Sequence, residues 1–103
     1  MKFLSFATFD VAKAAELAKV SDKVWTSPPP GIKLLAAYVC QGKAFDGVPP
    51  NTLVSFDIIE AESNEALSAV NYPLALAGAS IWNVPIMELP IVGAAEVEKK
   101  MRA

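Results

Sequence analysis

Apolar periodicity changes along this chain in a set order, strand, helix, strand, strand, helix, strand, completed within about ninety residues. That order constrains the fold more than any single residue does. Two interleaved β-α-β units in so short a chain close into one sheet, with strand order 4-1-3-2 and both helices on the same face. The spacing predicts strands over residues 2–9, 32–40, 52–60 and 81–89. Asp10 is placed to cap a helix running to Val24, with Val11, Ala14, Leu17, Ala18 and Ser21 as its inner stripe, and Ser63 or Asn64 to start another. Pro73 either kinks that second helix or opens a short third one over 74–79. Pro85 marks the fourth strand as an edge or a bulge, because it has no N–H for a ladder.

With 103 residues the chain makes one domain, expected over 1–90, followed by a tail over 91–103 that carries a short polar helix from Ala94 to Arg102. Its 53% hydrophobic content and mean hydropathy of +0.36 exceed what a fold this small hides inside itself. Apolar surface left over in this way favours self-association, and a homodimer is the expected partner.

Several function classes are disfavoured by composition. The net charge is −2 and the single arginine is Arg102, so no basic stripe is present to follow a nucleic acid. Cys40 is alone, which leaves no internal disulfide and no cysteine zinc cluster. Histidine is absent, which removes Ser-His and Cys-His catalysis and any histidine metal ligand. No cluster has metal-ligand spacing, and no cofactor is expected. Gly42 and Gly47 have a phosphate-loop spacing, but Val48-Pro49 stands where the Lys-Ser/Thr would be needed. Ser27-Pro28-Pro29-Pro30-Gly31 is a stiff turn without the neighbouring arginine of a proline-motif ligand.

The uncharged stretch Ala66–Met87 is long enough to span a bilayer, yet Asn71, Pro73, Asn83 and Pro85 divide it into a helix and a strand. Residues 1–9 alternate as a strand and stop at Asp10, too soon for a secretory signal. No membrane association is expected, and the chain reads as cytoplasmic.

Pro28-Pro29-Pro30-Gly31-Ile32-Lys33-Leu34-Leu35 and Glu60-Ala61-Glu62-Ser63-Asn64-Glu65-Ala66-Leu67, followed by Tyr72-Pro73 and Trp82 to Leu89, carry a resemblance over most of residues 1–90. The chain resembles the DUF3303 family of small uncharacterised proteins. That resemblance implies an α+β, ferredoxin-like βαββαβ sheet assembled as a dimeric α+β barrel enclosing a cavity. Members often carry a Trp-His pair late in the second strand. Tyr38 and Val39 stand there in this chain, so no role of that histidine carries over.

In the third strand Val54, Phe56 and Ile58 are wholly apolar and are expected to face the helices. Leu53, Ser55, Asp57 and Ile59 then share the opposite face with Phe3, Ser5, Ala7 and Phe9 of the first strand. Ser5, Ser55 and Asp57 would meet on the wall of the barrel cavity, with Tyr38 in reach. A carboxylate in an apolar strand is costly unless paired, hydrogen-bonded or wet, and desolvation raises its pKa. Two functions follow. The dimer binds a small hydrophobic ligand through Ser5, Tyr38, Ser55 and Asp57, or it is a cofactor-independent monooxygenase- or isomerase-like enzyme with Asp57 as general base. A regulatory domain that binds an effector is a third class.

Overall fold

A computed structural model describes all residues, Met1–Ala103. The strands are β1 (Lys2–Asp10), β2 (Ile32–Val39), β3 (Thr52–Ala61) and β4 (Ser80–Ile86), and the helices are α1 (Ala14–Thr26), α2 (Asn64–Leu76) and α3 (Ala94–Arg102). One antiparallel sheet runs β2-β3-β1-β4, the expected order, with α1 and α2 on one side. The chain has the ferredoxin-like α+β fold.

The local signals act as the sequence suggests. Asp10 accepts a hydrogen bond from the Ala12 amide at 2.8 Å, and the chain makes a single 3-10 turn over Val11–Lys13 before α1. The Ser63 hydroxyl accepts from the Ala66 amide at 3.1 Å, with Glu65 in the first turn of α2. Pro73 lies within α2 as one continuous helix to Leu76, so there is no separate helix over 74–79. β4 ends at Ile86, three residues earlier than the sequence suggests, and it is an edge strand, which tolerates Pro85 opposite Phe3. No helix is long and apolar enough to cross a membrane.

The core lies between the helices and the odd-numbered side chains of the central strands. Phe3, Ile59 and Ala61 pack with Ile32 and with Ala66, Leu67 and Val70 of α2, while Val24, Trp25 and Leu74 close its margin. This reverses the expected facing of the sheet. The residues expected to meet the helices, Phe56 and Ile58, are on the open side, and Ser5, Ser55 and Asp57 are on the helix-covered side.

The physical reason is visible in side-chain size. Both faces of β1 and β3 are apolar enough to be buried, so polarity does not choose between them. The helix side carries the small residues Ser5, Ala7, Ala37 and Ser55, which leave room between the sheet and the helices. The large rings instead line up across the strands on the other face. Trp82 stacks on Phe6 at 5.1 Å, Phe6 meets Phe56 at 6.3 Å, and Tyr38 stacks on Phe56 at 5.1 Å.

A bulge in β2 completes the row. The register jumps between Leu34 and Ala36, leaving Leu35 unmatched and reversing which side the following residues face. Ala37 and Val39 thereby join Asp57 and Ser55 on the helix side, and Tyr38 joins the aromatic row.

Candidate functional site

Antiparallel pairing brings three polar side chains into a line on the helix-covered face. Ser5 of β1 is opposite Asp57 of β3 on one side and Asn83 of β4 on the other, and Ala37 of β2 flanks Asp57 beyond. Ser5 is buried, and the Asn83 Oδ1 atom is buried without a hydrogen-bond partner. Asp57 is half-buried and has neither a side-chain hydrogen bond nor an ion pair. Desolvation by burial is therefore uncompensated and pushes its carboxyl from the ordinary 3.8 up to about 6.

Asp57 borders a cavity of about 350 Å³ between the sheet and the helices. Its floor is Ala7 and Phe9 of β1, Ser55 and Asp57 of β3, and residues 37–39 of β2. Its roof is Ala14, Leu17, Ala18 and Ser21 of α1, with Leu74 and Ala79 closing one side. The roof follows from helical spacing, since 14, 17, 18 and 21 recur on one face, and three of those four residues are small enough to leave space above the sheet. The walls are chiefly apolar, with the Ser21 and Ser55 hydroxyls and one carboxylate as polar contacts. That composition, a mostly apolar hollow with few convergent polar groups, is the usual make-up of a small-molecule site, at the lower end of the range of about 300–1,000 Å³.

Of the residues singled out from the sequence, Asp57 and Ser55 meet in this cavity. Ser5 is Asp57's neighbour across the ladder but does not line the cavity. Tyr38 borders the cavity along β2, but its ring stacks on Phe56 on the other side of the sheet. The roof residues were legible as the inner stripe of the first helix, although not as a cavity wall. Val11, also on that stripe, is in the 3-10 turn and exposed. Asn83 was not legible, because the sequence leaves open whether it or Trp82 looks toward the helices. Glu60 and Glu62 border a separate polar cleft with Lys33 and the N-terminal residue. No group of three or more His, Cys, Asp or Glu residues is arranged to hold a metal ion.

No protein-family model matches the chain, and no curated protein matches it. Among solved structures, a DUF3240 family protein from Shewanella baltica aligns with a TM-score of 0.50 at 14% identity, covering 89% of this chain and 97% of that one. A candidate antibiotic biosynthesis monooxygenase from Deinococcus radiodurans aligns with a TM-score of 0.48 at 13% identity, covering 90% of this chain and all (100%) of that one. The likeness to the Shewanella protein is, at such identity, one of fold.

Proposed function

We propose that this protein is a homodimer that binds one small hydrophobic molecule per protomer beneath its helices, with Asp57 as the ionisable contact. The observation that carries the reading is an apolar cavity of about 350 Å³ whose single acidic group has no partner of its own. A carboxylate kept half-buried without a hydrogen bond is costly in a purely structural setting. A ligand with one proton-donating group would supply the missing partner, while Ser55 and Ser21 orient it. A site on the helix side is favoured over the space between two sheets, because the centre of the open face carries stacked rings and no carboxylate.

Assembly is supported by the open face. Trp82, Val84 and Tyr38 are exposed there beside the half-buried Phe6 and Phe56, and Val54 is the one fully buried residue of that face. Two copies stacked through this surface would form the dimeric barrel that the resemblance to the DUF3303 family implies, and that membership is part of the proposal.

The raised carboxyl of Asp57 favours a second reading, a cofactor-independent enzyme in which Asp57 takes a proton from the bound molecule. A pKa of about 6 suits a base that must be ionised near neutral pH yet hold a proton briefly.

An amide-resolved NMR titration with 1-naphthol, a two-ring molecule with one hydroxyl, tests the location. Shifts should concentrate at Ala7, Leu17, Ala18, Ser55 and Leu74 and weaken in Asp57→Asn. Shifts confined to Phe6, Phe56 and Trp82 would move the site to the open face and overturn the reading.

A further inference from the structure

We propose that residues 87–103 form an arm exchanged between the two protomers, packing its apolar side chains against the partner copy. This rests on the homodimer of the preceding section. β4 ends at Ile86, and the chain then runs through Met87, Leu89, Ile91 and Val92 with all four side chains exposed. Ile91 and Val92 are 103% and 89% exposed, so they gain nothing from their own domain. Single exposed apolar residues need no explanation, but a run of them entering a helix does.

The helix itself points the same way. In α3, Val97 and Met101 are one turn apart on a common stripe. The other faces are tied internally, with Lys99 paired to Glu96 at 3.6 Å and Arg102 donating to Glu98 at 2.9 Å. A helix of nine residues is too short to persist by propensity alone, since isolated helices below about 12 residues are marginal in water. It needs a packing partner for that stripe, yet every α3 residue except half-buried Val97 is exposed in the single chain.

Surface area supports a second copy of the chain as the partner. The accessible surface is 7156 Å², roughly 1,500 Å² above the ~5,600 Å² that mass scaling gives a compact monomer of this size. The radius of gyration is 15.6 Å, against about 13 Å for a compact domain of this length. A standard interface takes about 800 Å² from each partner. The arm is exposed along its whole length except at Val97, and it contributes to that excess alongside the open sheet face. Glu88 lies 3.8 Å from Lys2, so the root of the arm sits beside the end of β1 at the border of that same face. Ile86 already pairs with Lys2, the first residue of β1, so β4 has no further β1 partner to extend along. An arm rooted at the border of one open face is placed to cross onto the copy stacked against it.

The test uses the full chain carrying Cys40→Ser and Ile91→Cys, labelled at the new thiol with benzophenone maleimide. Protein made with ¹⁴N is mixed with protein made with ¹⁵N, exchanged, irradiated and digested. Peptides joining a ¹⁴N arm to a ¹⁵N sheet are expected, and only same-isotope joins would overturn the exchange. In parallel, the Ile91→Asp/Val92→Asp chain is examined by sedimentation. It should keep its circular dichroism and weaken dimerisation at least tenfold. A dimer unaffected by these substitutions overturns the arm while leaving the dimer standing. An unsubstituted chain that is monomeric overturns both.

Discussion

Asp57→Asn should stabilise the protein at pH 8 and leave it nearly unchanged at pH 4. In the folded chain the carboxyl is raised from 3.8 to about 6 by burial, with no compensating partner. Between those values the folded state holds a proton that the unfolded state has released. Stability therefore falls as pH rises through this window, and above it the full cost of a charged, desolvated carboxylate persists. A displacement of that size corresponds to about 3 kcal/mol, and solvent screening of a half-buried group reduces it to about 2 kcal/mol. Asparagine has the same shape without the charge. Urea unfolding at one protein concentration, at pH 4 and pH 8, should show a gain of about 2 kcal/mol at pH 8 only. For a domain of this size that is a rise in Tm on the order of 10 °C. The reasoning is refuted if the asparagine chain is no more stable at pH 8, or if its gain is the same at both values.

Other outcomes follow from the same geometry. If the enzyme reading holds, Asp57→Asn also abolishes turnover of the chain's substrate while sedimentation still shows a dimer. Trp82→Ala removes the end of the aromatic row, and sedimentation should show dimer dissociation strengthened at least tenfold with the fold intact by circular dichroism. Leu67→Ala opens a cavity under α2 and should cost about 3 kcal/mol in urea unfolding. Ser63→Ala removes the cap of α2 and should cost about 1 kcal/mol by the same measurement.

Element order, strand order and both helix caps were legible because each rests on a local rule. Asp10 and Ser63 precede helical stripes, and apolar runs alternate between turn residues. The facing of the sheet was not legible. Phe6 and Phe56 look like core residues from polarity alone, and only their alignment with Trp82 and Tyr38 across two further strand pairings reveals a surface kept for something else. The Leu35 bulge adds a second obstacle, since one unmatched residue turns Tyr38 away from the helices without leaving a glycine or proline to announce it. Asp57 stood out from sequence as an acid in an apolar strand, and its desolvation is as expected. The cavity above it depends on Ala14, Ala18 and Ser21 being small at the points where α1 crosses the sheet, a tertiary coincidence with no signature in spacing.

The most direct test of the account is native mass spectrometry of the full chain as isolated from its own cells. The account predicts a dimer carrying one molecule of small mass on each chain. A dimer with the mass of two bare chains would contradict resident ligand binding, and a bare monomer would contradict the assembly on which the account is built.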